Sequence, residues 1–539
     1  MTCPHDKSAR PLRNLSITCR PTVSALMLFV ALVDAGCATS SSTSGATTGA
    51  APAGAVTTPP SSADAQGRQR WLDMFARAYF PGRSGQIFVV PRENEVITER
   101  DPLYRFMHGS PWRYDTHIPI LFYGAPFIRQ GQWNDAVAQQ DIAPTLARLI
   151  GATPAPTFTG RVLSDALAPG SARPRVVTLL VLDAMRADYF DTYADVMPTL
   201  TRMRREGAWF SQAHANVLPT VTGVGHATVG TGTDPRIHGI TVNTLFNRVT
   251  GKSQSAYDAL DPRELMALTL GDIWNITTDG KAVIIGQGGA IRATVGLVGR
   301  GACLVNGRKV IAASYSTRDA GWETNPTCYT MPEALKAFNG KPVWEAAGGT
   351  WMGHNIANPS AFRASSLYQR FESEALIAVM TQAPIGADEL TDLVFVNMKG
   401  PDYTAHAHGP DSAELKETLA ELDRQMAALL KTLDEKAGPQ RSVLAITADH
   451  GMPGEPASGH RHHPEDIVAL IHQKFDPAGK ALVTYYSDAA NNQLYIDTTR
   501  LHSLGFTLKQ LAQFLEAQEY FVAAFTEDEV RAGQASLRD

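Results

Sequence analysis

Apolar runs recur along the chain at 87–90, 118–123, 176–182, 282–285, 393–397 and 443–447. They are rich in Val, Ile and Leu and lack a strict alternation with polar residues, the pattern of strands buried on both faces. Between the last two runs, Leu415, Leu419, Leu422, Met426, Leu429 and Leu433 recur at steps of three and four over 412–437, which predicts an amphipathic helix. Strands of this kind alternating with helices predict an α/β fold around a mostly parallel central sheet flanked by helices. Such sheets bind ligands beyond the carboxyl ends of their strands. Three of the runs are followed closely by an acid: Asp183, Asp402 and Asp449. The stretch 250–364 is glycine-rich and irregular in period, and reads as an inserted cap region on the substrate side.

Of 539 residues, 44% are hydrophobic and 19% charged, an ordinary globular balance. Lys and Arg total 48 against 53 Asp and Glu, a formal charge of -5, so a nucleic-acid polymer is not an expected partner. Lys7, Arg10, Arg13 and Arg20 precede an apolar run over 21–33 that is shorter than the ~20 residues of a spanning helix, the pattern of a signal peptide. The run ends in Asp34-Ala35-Gly36-Cys37, and both lipoprotein processing at Cys37 and ordinary signal peptidase cleavage fit. Either way residues 1–37 read as an export signal, and the protein is expected in the periplasm, free or lipid-anchored to the bacterial envelope. Residues 38–67 are almost all Ala, Thr, Ser, Gly and Pro, a flexible linker. Cys303 and Cys328 are the cysteines of the folded part; a disulfide and two buried thiols both fit.

Asp449-His450-Gly451 sets a carboxylate beside an imidazole at a strand end, and Asp402 and His406 lie one helical turn apart, so each pair can share a cation. Asp183 closes the run 176–182. Pro219 to His226 is a Thr-bearing turn before a glycine-rich helix start, where exposed amides suit an anion. In this order the segments resemble the alkaline phosphatase superfamily, in its nucleotide pyrophosphatase/phosphodiesterase and phosphate-irrepressible alkaline phosphatase branch. The matching blocks are Val177 to Arg186, Thr220-Val221-Thr222-Gly223-Val224-Gly225-His226, Gly232 to Asn243, Asp402-x-x-x-His406-x-x-Gly409-Pro410, and Asp449-His450-Gly451.

The resemblance implies two zinc ions. One is expected on Asp183, Asp449 and His450 with Thr222, the other on Asp402, His406 and a third His. In the family that His lies near the C-terminus, in a His-Gly context followed by Tyr-Asp. Here the context occurs near the N-terminus, as Met107-His108-Gly109 followed by Tyr114-Asp115, with Arg83-Ser84-Gly85 before it and Asp141-Ile142-Ala143-Pro144-Thr145 after it. This implies a circular permutation in which 68–168 is the family's closing segment moved to the front, 175–539 is the catalytic core, and His108 completes the second zinc site. His408, His460, His462 and His463 lie nearer in sequence but lack that context.

Thr222 is then the expected nucleophile, passing through a phospho-threonine, with Thr220 as the runner-up and otherwise structural; Asn243 and Arg292 are the expected phosphate-binding residues. Monoesterase members carry a Lys-x-Arg pair where this chain reads Ala290-Ile291-Arg292. A monoester brings nearly two negative charges and a diester one, so a missing ammonium weakens the monoester more. The expectation is a phosphodiesterase or mixed mono/diesterase acting on a small phosphate ester. Arg300, Lys281 or Lys309 could restore the charge. The alternatives are an alkaline phosphomonoesterase, a phosphonate hydrolase and, from a different class, a non-catalytic envelope-binding module. A sulfatase would need Cys-x-Pro-x-Arg, which the mature chain lacks.

Overall fold

All but the first of the apolar runs pair into a single sheet in the computed structural model, which describes residues 62–537 apart from 171, 480 and 487–491. The export signal, Cys37 and residues 38–61 of the linker lie outside the described residues. In chain order the strands used below are β1 Ile87–Pro91, β2 Ile120–Tyr123, β3 Gly131–Ala138, β4 Val176–Leu182, β5 Ala208–His214, β6 Ile284–Gly288, β7 Val310–Tyr315, β8 Asp392–Met398, β9 Ser442–Thr447, β10 Val483–Tyr485, β11 Gln493–Ile496 and β12 Phe521–Thr526. The helices are α1 Ser62–Ala78, α2 Thr222–Thr231, α3 Ile291–Val298, α4 Ser366–Gln382, α5 Gly400–His408, α6 Ala413–Ala437 and α7 Glu527–Ser536. The linker therefore stops short of residue 67, because α1 begins at Ser62.

The central sheet runs β7-β6-β8-β4-β9-β2-β5-β3, with the short strand Trp322–Glu323 outside β7. All neighbours from β7 to β9 are parallel, and β2 is antiparallel to both β9 and β5. The expected mostly parallel α/β sheet is thus present, and β4, β8 and β9 are buried along their whole length. Register brings their ends level: Leu182 pairs with Met398, and Val181 with Thr447. The loops and helix that leave these three strands therefore emerge at one edge of the sheet. The helix expected over 412–437 is α6, capped by Ser412, whose side chain accepts from Leu415 N. Its six apolar stripe residues are all buried, each worth about 1.5–3 kcal/mol against exposure.

The stretch 250–364 divides rather than forming one insertion. β6, which takes in the end of the apolar run 282–285, and β7 are integral to the central sheet; Gly286 is needed because a Cβ there would lie 2.8 Å from Val298 Cβ. The remainder contributes Trp344, Trp351 and Phe362 to an aromatic cluster that reaches Tyr403 on α5. Cys303 and Cys328 are joined as a disulfide.

A second, antiparallel sheet runs β10-β11-β1-β12. Trp71 and Phe75 of α1 pack with Phe88, Phe525 and Val530, so α1 and α7 share one small core with this sheet. No helix among the described residues is long and apolar enough to cross a membrane.

Candidate active site

Four chain segments converge where the parallel strands end. Asp183 follows β4, Asp449 and His450 follow β9, and α5 starts directly after Lys399 at the end of β8. Glu372 of α4 caps that start, accepting from Lys399 N at 3.2 Å and Gly400 N at 2.9 Å. Burial first of all lifts the Glu372 carboxyl to about 8. The cap fixes α5 so that Asp402 and His406, four residues apart, share a face, with Asp402 Oδ1 3.3 Å from His406 Nε2. The fourth segment is the loop before β2. Asp115, buried, accepts from Gly109 N, Ser110 N and Ser110 Oγ at 3.1, 2.8 and 2.6 Å, and so pins the turn that carries His108.

Two clusters result, His108 with Asp402 and His406, and Asp183 with Asp449 and His450. In each histidine Nδ1 donates to a backbone carbonyl: His108 to Thr220 O at 2.8 Å, His406 to Phe106 O at 2.6 Å and His450 to Gly451 O at 3.0 Å. That fixes the tautomer and leaves every Nε2 facing the carboxylates, the arrangement of metal-ligating histidines. Asp402 Oδ1 and Asp449 Oδ2 are buried and accept no hydrogen bond. Orphaned carboxylate oxygens beside free imidazole nitrogens fit a divalent cation, and this N/O donor set suits zinc. His108 and His450 stack with ring centroids 3.5 Å apart. Burial and then His450 drive His108 well below its ordinary value, so it stays neutral. Burial opposes ionisation of Asp402, but His406 and Lys399 outweigh it and hold its carboxyl well below the usual range.

Thr222 opens α2 beside the Asp183, Asp449 and His450 cluster, its Oγ1 3.5 Å from His450 Nε2. The glycines after it are there for proximity, since a Cβ on Gly225 would lie 2.6 Å from Asp449 Cβ. Asn243 accepts from Gly223 N at 2.8 Å through Oδ1, which leaves its two N–H donors for another partner. Asn243 and Arg292 line a cleft of about 330 Å³ together with His108, His406 and Tyr104. Among the described residues Arg292 is the one Lys or Arg on its wall. Arg300 instead bonds the Leu265 carbonyl, and Lys281 and Lys309 are exposed to solvent. His462 faces Glu95, and His463 bonds Thr98 O, away from both clusters.

Lys399 escaped the sequence reading. It is fully buried, and its Nζ donates to Asp183 Oδ1 at 2.8 Å and to Thr222 Oγ1 at 3.0 Å, with Asp402 Oδ2 at 2.6 Å. Burial disfavours the ammonium, but Asp183 and Asp402 more than offset it and hold its pKa above the ordinary value. Its position was the available signal, because a Lys three residues before Asp402 shares that ligand's helical face.

The alkaline phosphatase PafA of Elizabethkingia meningoseptica is 27% identical over 335 residues, covering 52% of this chain and 60% of PafA. PhoV of Synechococcus elongatus, also an alkaline phosphatase, is 25% identical over 390 residues, 61% of this chain and 68% of that one. The chain thus spans about 60% of PafA's length. The crystal structure of wild-type PafA superposes with a TM-score of 0.54 at 22% identity, over 64% of this chain and 76% of PafA, which shows the shared fold. The sequence model of the type I phosphodiesterase / nucleotide pyrophosphatase family matches residues 177–529, and the chain belongs to that family.

Proposed function

We propose that this chain is an exported, zinc-dependent phosphoric ester hydrolase, a phosphodiesterase or mixed mono/diesterase with Thr222 as nucleophile. The observation that carries the reading is the pair of buried three-ligand clusters meeting beside Thr222 Oγ1. Bound there, two zinc ions would make the Thr222 hydroxyl and a water better nucleophiles and stabilise charge on the phosphoryl and leaving oxygens. Asp183, Asp449 and His450 with Thr222 would hold one, and Asp402, His406 and His108 the other. Thr222 attacks phosphorus, the bond to the ester oxygen breaks, and water then releases the phosphoryl group from Thr222. The Asn243 N–H groups and the Arg292 guanidinium orient the non-bridging oxygens from the cleft. With Ala290 in place of a lysine and Arg292 alone on the wall, the cleft matches the single charge of a diester better than the double charge of a monoester.

The second reading, an alkaline phosphomonoesterase, is favoured by the names of PafA and PhoV. Matched aryl phosphate mono- and diesters, offered to the zinc-loaded protein and its Thr222→Ala variant, separate the two. The proposal expects the diester to have the higher kcat/KM and the variant to lose at least roughly 1000-fold on either ester. A higher value for the monoester supports the second reading, and an active Thr222→Ala protein removes Thr222 as nucleophile.

We further infer that the segment order is permuted relative to the family. The family match begins at residue 177, whereas His108 and β2, which fill the site and the sheet, come from before it.

A further inference from the structure

Three carboxylates enter the clusters, and Lys399 adds a cation that they do not need once two zinc ions are bound. Asp183, Asp402 and Asp449 together carry a charge of −3, which two zinc ions already exceed. The surplus positive charge is offset in part when Thr222 ionises and a phosphate ester arrives. We propose that Lys399 is a catalytic residue which stabilises the negative charge of Thr222 Oγ in both halves of the reaction, as the nucleophile of the first and the leaving group of the second. This inference rests on Thr222 being the nucleophile, as proposed above.

The Lys399 ammonium donates to Thr222 Oγ1 at 3.0 Å and Asp183 Oδ1 at 2.8 Å, and Asp402 Oδ2 lies beside it as an ion pair at 2.6 Å. Tied to one carboxylate of each cluster, Nζ is held with an N–H on the reacting oxygen. Fully buried behind Asp183 and Thr222 and not on the cleft wall, it is not placed as the phosphate clamp missing at Ala290. Space for it is built into the fold, since a Cβ on Gly289 would lie 2.4 Å from Lys399 Cβ.

In the first half Thr222, its hydroxyl proton already given to water, attacks: the Oγ–P bond forms while the bond from phosphorus to the ester oxygen breaks, and that oxygen leaves with the bonding pair and takes a proton from water. In the second half a water oxygen bonds to phosphorus, its proton passes to solvent, and the P–Oγ bond breaks with the pair returning to Oγ. A preorganised cation aimed at that oxygen lowers both barriers. With a nitrophenyl ester the first leaving group is good and the second, a threonine alkoxide, is poor. Loss of Lys399 therefore falls harder on the second half, and the adduct on Thr222 should build up.

The test uses Lys399→Met and Lys399→Gln in the full chain, zinc-loaded, turning over nitrophenyl phosphate esters. Acid-quenched samples are read by mass for phosphoryl adduct on Thr222, and zinc content is determined alongside. Expected are unchanged zinc, turnover lower by roughly 100-fold, and adduct on most chains of a variant where the unsubstituted protein shows little. Loss of zinc from both variants, failure of both to fold, or slowed turnover without adduct would make Lys399 a structural counter-ion and overturn the inference. Failure of the underlying reading looks different, because Thr222→Ala would then remain active whatever the Lys399 variants do.

Discussion

Each of the three histidines in the two clusters spends Nδ1 on a main-chain carbonyl, so the site's geometry is set by backbone rather than by the metal it would take up. His108 depends in addition on Asp115, which holds the turn through three hydrogen bonds. All three bonds end on Asp115 Oδ2, so Asp115→Ala, which removes that oxygen, should weaken zinc binding roughly 10-fold or more in a chelator competition. Affinity equal to the unsubstituted protein would show that the turn holds itself. At this scale the sequence was legible where chemistry sits at the end of an apolar run. Asp183 and the Asp449-His450 pair stand out because strands β4 and β9 are uninterrupted. Lys399 and Glu372 do not, because a lysine past a strand end reads as solvated and a glutamate on a helix as surface. Only the fold reveals that both are buried.

At the scale of elements, α4 and α5 work as a pair, since Glu372 satisfies the first amides of the helix that carries Asp402 and His406. Burial lifts Glu372 from 4.5 to about 8. Below pH 4.5 the carboxyl is protonated in folded and unfolded chains alike. Between there and about 8 the unfolded chain loses the proton while the folded one keeps it, so stability falls as pH rises through this window. Glu372→Gln cannot ionise. Melting temperatures measured across the window should show the variant losing less than the unsubstituted protein as pH rises, and a constant difference would contradict the assignment. The strand β3 was missed for the opposite reason to Lys399. β3 is largely exposed at the sheet edge, and its sequence, Gly-Gln-Trp-Asn-Asp-Ala-Val-Ala, carries too few apolar positions for a periodic signal.

At the scale of the whole molecule, the segment before residue 168 is held by pairing rather than by its covalent link to β4. β2 lies between β9 and β5, and α1 shares a core with α7. The link itself is open to solvent at Pro169, Gly170, Ala172 and Arg173. A protease site placed there should be cut in the folded protein with zinc content and turnover retained, the two pieces separating only on denaturation. Loss of zinc on cutting would mean that the link itself positions His108. That His108 meets Asp402 and His406 was legible because its motif is contiguous, from Met107 to Asp115. The division of 250–364 between sheet and aromatic cover was not, since Ala312, Ala313 and Ser314 give β7 a weak apolar signal although it is buried.

The central claim is that residues from both ends of the permuted order build two zinc sites around Thr222. Zinc counted per chain by elemental analysis in the unsubstituted protein and in His108→Ala tests it most directly. The account predicts two ions in the first and one in the second, with the Asp183, Asp449 and His450 site still filled. Two ions in both proteins, or fewer than two in the unsubstituted one, would contradict it.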